Sequence, residues 1–533
     1  MKHSIRSISD AAGVSTVGNV AYLSNRPLQP SQLGKLAKWL PKEAWVKEAL
    51  GRMASSDLSN CGWRAGWLTL EGLLQSMKVK NRIGYTDPSS PFQNIMPESE
   101  PDWLKLLPRD AQRYIRNSFA VTEGIDPLAI ILQFPYMGFG YIIPDDGMAA
   151  DAAQVFNLHR LNQVKQLSFL HDPVGKATDR SIASSMFEHT RYCHSMDVHA
   201  IANLVAHNIG LEGVQMNTLN TAAETHDALT PAGGDSVKLV DLQAFDEDLH
   251  YPELMVGNRW EEYQQKYQID PALLVETIGG NGLLGRILDI SDKSSYLARD
   301  TQAYLGTKNP PKQFVDTAYS AIASIINEDP FVCAVWENTR EHKGSLVFND
   351  PDRMARFLTL RALMFRELYY NPYSRFFEYL VGKGVVKYLY TKKLVTREDL
   401  LREGDWWIER KIDETLGTQS VLRKFHNLQN ARIEEHLDHA MAMKRLIEFD
   451  DDEAVIVILD DFNPSTSPST KKFMVRSRGN VSTFHDACPD AAGEIERIMK
   501  FPKIVRLYFF IADDLEIPRG SRKKIKEIIR SVM

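Results

Sequence analysis

The chain has 533 residues, of which 44% are hydrophobic and 25% charged, a composition typical of soluble globular proteins with more than one domain. A net charge of -6 argues against a protein whose whole surface binds nucleic acid. The four cysteines show neither CxxC nor zinc-finger spacing, which argues against a structural zinc site and fits a reducing compartment.

The N-terminal sequence contains no apolar segment of the kind found in signal peptides. Residues 127–144 form the most apolar run and approach the length of a membrane span, but their prolines and glycines interrupt any spanning helix. We therefore expect buried strand or loop there, no membrane association and a cytoplasmic protein.

The predicted fold is mainly α. Residues 1–150 form an N-terminal extension of unknown role, with helices predicted at 30–40 and 42–55. Alternating helices then form a core from 151 to 448, in which Asp270 is a predicted helix N-cap.

The last segment, residues 449–533, changes character. Strand-like runs occur at 453–462 and 503–511, where β-branched and aromatic residues are concentrated. A small C-terminal α/β subdomain is the simplest interpretation. It ends in a basic helix at 518–530, which is typical of a solvated face and only secondarily of an anion contact.

Four candidate metal ligands lie between residues 191 and 300. They are His194, His226, Asp227 and Asp292. Two imidazoles and two carboxylates suit a divalent cation that keeps positions open for water and substrate. Helical periodicity places His194 on the apolar face of a helix at 194–209, and His226 on that of a helix at 217–229. Three helices are therefore expected to bring the ligands to one point inside a bundle.

The alternative interpretation is structural, because a histidine on an apolar face is often a hydrogen-bonded core residue and a lone HD dipeptide occurs by chance. The clustering of histidines in the sequence favours the metal site, because eight of the fourteen fall within the 92 residues from 159 to 250. His199 and His207 project off the apolar face of their helix, and we expect both at the surface.

The motifs around these residues resemble the HD-domain metal-dependent phosphohydrolases, in particular their deoxynucleoside triphosphate triphosphohydrolase branch. LHRLNQVKQLSFL (158–170), RYCHSMDV (191–198) and DKSSYLARD (292–300) are similar to the segments QRLRxIKQLG, RFEHSLGV and DKWDYFARD of that branch. LRALMFRELYYNP (360–372) resembles its later basic helix more loosely. The resemblance covers residues 155–415 and implies an HD-domain helical bundle. The chain departs from the family after its HD pair, where Thr230 and Asp235 replace histidines of a GHGPFSH segment.

The resemblance implies roles for further residues. His250 is the implied proton donor to the leaving group, with Asp235 as a second catalytic candidate; a structural role for this loop histidine remains open. Arg191 has a structural ion pair as its alternative. The implied substrate contacts are Gln166, Leu167, Arg191, Lys293, Tyr296, Asp300, Arg366 and Tyr369.

The function implied by the resemblance is hydrolysis of deoxynucleoside triphosphates to deoxynucleoside and tripolyphosphate by a homo-oligomer. The cofactor is a divalent metal ion, and the donor set accepts Mn, Mg, Fe, Co, Ni or Zn. Two alternatives remain: an HD-type enzyme that acts on another nucleotide or on a single-stranded nucleic-acid end, and a non-catalytic nucleotide-sensing protein. A nucleic-acid partner stays open but is not indicated by the net charge.

Overall fold

The computed structural model describes residues 64–65, 129–133, 140–144, 148–167, 190–305, 318–329, 332–417, 432–449, 452–462, 467–514 and 517–531. Over these residues the chain is mainly helical with three small sheets, which confirms the predicted fold class of a helical protein with a small C-terminal α/β part. The described helices include none with the length and hydrophobicity of a membrane span. The helices predicted at 30–40 and 42–55 lie outside the described residues.

The described α-helices are numbered in chain order. They are Met148–Val155 (α1), Arg191–Ile209 (α2), Gly213–Thr225 (α3), Gly234–Lys238 (α4), Glu247–His250 (α5), Asn258–Tyr267 (α6), Pro271–Ile278 (α7), Gly282–Leu305 (α8), Ala318–Glu328 (α9), Pro351–Met364 (α10), Pro372–Glu378 (α11), Lys387–Thr391 (α12), Arg397–Arg402 (α13), Asp405–Leu416 (α14), His439–Ile447 (α15), Phe484–Ala487 (α16), Pro489–Ile498 (α17) and Arg519–Arg530 (α18). Short 3-10 helices span Leu158–Gln163, Tyr251–Leu254 and Val335–Asn338, and π-helical turns span Phe365–Tyr369 and Tyr379–Val386.

The described strands are Arg64–Ala65 (β1), Ala129–Gln133 (β2), Gly140–Pro144 (β3), Thr339–His342 (β4), Ser345–Phe348 (β5), Arg432–His436 (β6), Val455–Phe462 (β7), Met474–Ser477 (β8), Asn480–Thr483 (β9) and Ile504–Ile511 (β10). They form three sheets with the orders β1-β3-β2, β6-β10-β7 and β4-β5-β8-β9. All strand pairs are antiparallel except β5 with β8. The strands predicted in the runs 453–462 and 503–511 are thus confirmed as β7 and β10, and the apolar run 127–144 supplies β2 and β3.

Helix boundaries follow capping residues. The Asp270 carboxylate accepts hydrogen bonds from the backbone N–H groups of Ala272 and Leu273, and Pro271 occupies the first helical position of α7. The predicted N-cap is therefore confirmed. Asp350 caps α10 in the same way, again with a proline in the first turn.

Helix α2 lies inside the helical core, packed against α3 and α8. Most of its side chains are buried, including polar ones. The prediction that His199 lies at the surface is wrong: it is buried and forms an ion pair with Glu224 of α3, which is itself fully buried. The acid supplied by the neighbouring helix is what makes this burial tolerable. The side chain of His207 lies outside the described residues.

The C-terminal segment packs into the same core. Strand β8 pairs in parallel with β5, with Val347 opposite Met474 and Phe348 opposite Val475. Phe484 and other side chains of this segment belong to the large apolar cluster that α2, α3 and α8 share. The last strands and α18 instead cover a second cluster formed with α11 to α14. The segment also contacts helix α8, where Lys472 bonds Asp289.

Candidate metal centre

Three helices supply the four predicted ligands. His194 is the fourth residue of α2, and Asp292 lies midway along α8. His226 is the C-cap of α3, and Asp227 begins the turn that follows. The HD pair therefore lies at the end of a helix. The periodicity had predicted a helix that continues to 229, with the pair inside it.

The ligand atoms converge. His194 Nε2 lies 3.0 Å from Asp292 Oδ1 and 3.3 Å from His226 Nε2. Candidate ligand atoms of these three residues all lie within 4.8 Å of one another, and the group could hold a metal ion. Asp227 Oδ2 is close by, 3.9 Å from His194 Nε2 and 3.7 Å from His226 Nε2. The structure thus brings all four predicted ligands together.

The other ring nitrogen of each histidine, Nδ1, also has a hydrogen-bond partner. His226 Nδ1 lies 2.8 Å from the carbonyl oxygen of Ala223, which can only accept, so Nδ1 carries the proton and the Nε2 lone pair faces the group. His194 Nδ1 lies 2.9 Å from Ser295 Oγ, inside the core. Such partners orient metal-binding imidazoles, and the donor set therefore fits a divalent metal.

Both acidic candidate ligands are held in their charged form. Burial alone opposes ionisation of Asp292, but the hydrogen bond from His194 and the positive charges nearby leave its pKa below the ordinary value. Burial likewise opposes ionisation of Asp227, and the adjacent Arg191 guanidinium outweighs it, so that its pKa is strongly lowered. Two carboxylates are thus available to a cation.

Arg191 is buried and makes an ion-pair network that extends to the exposed Asp235. Its Nη1 donates to both carboxylate oxygens of Asp227, each at 3.1 Å, and its Nη2 donates to Asp235 at 2.5 Å. Lys238 Nζ lies 2.8 Å from Asp235 and 2.9 Å from Glu247. The adjacent charges of Arg191 and Lys238 lower the pKa of Asp235 to about 2. These contacts match the ion-pair alternative for Arg191, and its role toward phosphate stays a prediction.

The turn after the HD pair is fixed by two residues that sequence reasoning did not single out. Arg160 Nη2 donates to the carbonyl oxygens of Ala228 and Thr230, at 3.2 and 2.6 Å. Asp405 accepts the Gly233 N–H at 2.8 Å. Arg160 lies in the LHRLNQVKQLSFL motif, so its place in that segment was the available signal.

Three of the predicted substrate contacts lie together. The Tyr369 hydroxyl donates to Asp300 Oδ2 at 2.6 Å, and its ring meets that of Tyr296 edge-on at 6.3 Å. A fourth residue, Arg361, was not predicted: its Nε donates to the Tyr296 hydroxyl at 3.0 Å. Arg361 is buried. Arg361 lies in the LRALMFRELYYNP segment, so its place in that segment was the available signal.

Other predicted residues make contacts of their own. Arg366 is 41% exposed and bonds Glu367 at 2.8 Å. His250 contacts Glu253 at 2.6 Å and the Gln243 carbonyl at 3.0 Å, both in its own segment. The roles of both residues stay predictions.

The last three predicted contacts lie in or against the core. Gln166 is buried, and Leu167 packs partly buried against the main apolar cluster. Lys293 Nζ lies 2.5 Å from Asp289 Oδ1. Their roles toward a substrate also stay predictions.

Comparison with known proteins bears on the fold. No protein-family model and no curated protein matches the sequence. Among solved structures, a phosphohydrolase from Bacteroides thetaiotaomicron VPI-5482 superimposes with a TM-score of 0.51 at 14% identity, covering 71% of this chain and 99% of its own. A hypothetical protein from Aquifex aeolicus gives a TM-score of 0.48 at 16% identity, covering 75% of this chain and 99% of its own. The chain thus has a fold like that of the Bacteroides phosphohydrolase.

Proposed function

We propose that the protein is a metal-dependent phosphohydrolase of the HD type that converts deoxynucleoside triphosphates to deoxynucleosides and tripolyphosphate. The observation that carries this proposal is the convergence of His194, His226 and Asp292, with Asp227 beside them, from helices α2, α3 and α8. The fold shared with a phosphohydrolase agrees with the reaction class.

These four residues would hold the metal. A divalent ion bound there would lower the pKa of a water molecule and polarise a phosphoryl oxygen, which are the two requirements of phosphate-ester hydrolysis. The protein's own part is to fix the donors: Ser295 and the α3 carbonyl orient the two imidazoles. Arg191 holds the Asp227 carboxylate through two hydrogen bonds and offsets its charge.

The sugar would lie further along α8. Tyr296 and Asp300 follow Asp292 by one and two turns of the same helix, so a nucleoside bound beside them has its phosphates near the metal ligands. A tyrosine against C2′ disfavours a ribose hydroxyl by sterics, and a carboxylate can accept a hydrogen bond from the 3′-hydroxyl. The Tyr369 hydroxyl, bonded to Asp300, fixes that carboxylate for the task.

One observation keeps a second substrate class in view. Thr230 and Asp235 stand where the family has histidines, and they bond Glu247 and Arg191 respectively. The same metal group could therefore serve another nucleotide or a single-stranded nucleic-acid end. Product analysis separates these substrates.

The experiment incubates the purified full chain with each dNTP, NTP, dNMP, cyclic nucleotide and a single-stranded oligonucleotide, with Mn²⁺ or Mg²⁺. We expect tripolyphosphate and deoxynucleoside from dNTPs alone. His226→Ala and Asp292→Asn should abolish turnover, whereas His439→Ala, at an exposed position that begins α15, should not change it. Release of only phosphate or pyrophosphate, or binding without turnover under any metal, would overturn the proposal.

A further inference from the structure

The C-terminal segment 467–472 contacts helix α8 beside the metal group, although it lies outside the region 155–415 that carries the motifs. The Ser467 carbonyl accepts a hydrogen bond from Arg361 Nη1 at 3.0 Å. Lys472 Nζ donates to Asp289 Oδ1 at 2.5 Å. Asp289 precedes Asp292 by one helical turn, so residues at that spacing share a face of α8. The segment therefore borders the same face as the candidate ligand.

Two lysines share the Asp289 carboxylate. Lys293 and Lys472 each place Nζ 2.5 Å from the same oxygen, Oδ1, so the two ammonium groups lie within about 5 Å of each other (twice 2.5 Å). One carboxylate balances only one of the two charges. Lys293 is buried, whereas the Lys472 side chain is 35% exposed. Two positive charges thus meet at one carboxylate oxygen of α8, one helical turn before Asp292.

Arg361 adds a third positive charge beside α8. It is buried, and its described hydrogen bonds go to two neutral oxygens, the Tyr296 hydroxyl and the Ser467 carbonyl. A buried cation is stabilised best when an anion completes its surroundings. Lys293, Lys472 and Arg361 thus bring three positive charges to this part of α8, beside the carboxylates of Asp289 and Asp292.

The order of groups along α8 matches a nucleotide laid along the helix. The Asp289 site with its two lysines comes first, Asp292 follows, and the tyrosine and carboxylate at 296 and 300 come last. In this order the sugar end, the attacked phosphorus and the more distal phosphates each meet groups of suitable chemistry.

We propose that Lys472 contacts a phosphate distal to the one attacked, and thereby selects nucleoside polyphosphates over monophosphates. This inference rests on the proposed function and assigns to Lys472 the preference for polyphosphate substrates. Lys472 detaches in part from Asp289 to do so, because the lysine side chain is 35% exposed and long enough to reach beyond its partner.

The neighbouring Lys471 supplies a matched control. Both lysines line one open cavity of about 500 Å³, together with Ser467 and Glu496. Among the described contacts of the two lysines, the bond to Asp289 is made by Lys472 and not by Lys471. The two lysines thus differ in position relative to α8 but not in charge or sequence neighbourhood.

The test measures binding of inorganic tripolyphosphate and of orthophosphate to the full chain by calorimetry, and steady-state kinetics with dNTPs. Lys472→Gln should weaken tripolyphosphate about tenfold, as expected for loss of one charge-assisted hydrogen bond, and should raise KM more than it lowers kcat. Lys472→Arg should restore most of the affinity. Lys471→Gln should change either value less than about twofold.

Outcomes separate the two proposals. Equal tripolyphosphate affinity for Lys472→Gln and Lys471→Gln, with the wild type hydrolysing dNTPs, would overturn the inference and leave the proposed function standing. A selective loss in Lys472→Gln, with no hydrolysis of any dNTP by the wild type, would support the polyphosphate contact and sink the proposed function. Equal losses for tripolyphosphate and orthophosphate would refute selection by chain length.

Discussion

Ser295→Ala tests whether the group around His194 is a metal site or a set of core hydrogen bonds. Ser295 is buried, and its Oγ lies 2.9 Å from His194 Nδ1. Without it the ring loses the partner that holds its orientation. Loss of such a partner typically costs 10- to 100-fold in metal affinity, which is about 1.4 to 2.7 kcal/mol. Leaving a buried ring nitrogen unpaired also costs about 1 to 3 kcal/mol of folding stability.

The measurement is a calorimetric titration of metal-free full-length protein with Mn²⁺. Ser291→Ala is the control, because Ser291 lies one turn earlier on α8, is equally buried, and donates to the Ile287 carbonyl at 2.8 Å instead of to a histidine. We expect the control to bind within about twofold of the wild type. Equal affinities for wild type and Ser295→Ala, or equal losses in both variants, would refute the assigned role of Ser295.

Three further predictions concern stability. Burial raises the pKa of Asp405 to about 6 in the folded state; since the unfolded carboxyl ionises at lower pH, the wild type should lose about 2 kcal/mol of unfolding free energy relative to Asp405→Asn as pH rises from 4 to 6.5. Gly382→Ala should destabilise by about 3 kcal/mol or more in urea, because its Cβ would meet the Ser236 carbonyl oxygen at 1.8 Å, whereas Gly384→Ala meets nothing nearer than 3.6 Å. Saturating Mn²⁺ at about 100 times Kd should raise the unfolding free energy by about 2.7 kcal/mol, and His226→Ala should abolish that gain.

Each of these has a contrary result. A constant difference between wild type and Asp405→Asn from pH 4 to 6.5 would mean that this carboxyl is not buried as described. Equal urea midpoints for the two glycine variants would contradict the close approach at Gly382. Stabilisation of His226→Ala by Mn²⁺ equal to that of the wild type would locate the cation elsewhere.

The candidate ligands were accessible to sequence reasoning because a histidine on an apolar stripe and an HD pair are local signals. The end of α3 was not, because periodicity alone continues past it. The helix ends at Thr225, and the next turn is closed by a bond from the Thr230 N–H to the Asp227 carbonyl. The Asp227 side chain is held by Arg191, which comes from a segment more than thirty residues away. Such a tertiary contact leaves no local pattern.

Arg361 was missed for a related reason. In a regular α-helix, residues three apart share a face, which makes Arg366 a natural partner of Tyr369. The chain instead forms a π-helical turn at Phe365–Tyr369. Because that turn closes on i→i+5 bonds, the three-residue spacing no longer shares a face, and Arg366 lies half-exposed beside Glu367. Arg361, in the preceding α-helix, reaches Tyr296 instead.

His199 shows the limit of the apolar-stripe argument. Off-stripe residues face solvent only when a helix lies at the surface, and α2 is enclosed by its neighbours. The partner acid, Glu224, sits on a different helix. Short strands such as β4 and β5 were not predicted either. A four-residue run has too few alternating residues to be detected from sequence, and it is ordered by pairing with neighbouring strands.

The parallel pairing of β5 with β8 has a practical outcome for anyone shortening the protein. A polypeptide stopped after Glu448 would lack β8, so Val347 and Phe348 would present bare backbone donors and acceptors along an apolar border. An exposed strand edge of this kind pairs with other copies of the chain, and the protein precipitates. Soluble, assayable material therefore requires the residues that follow, even though the metal ligands all precede them.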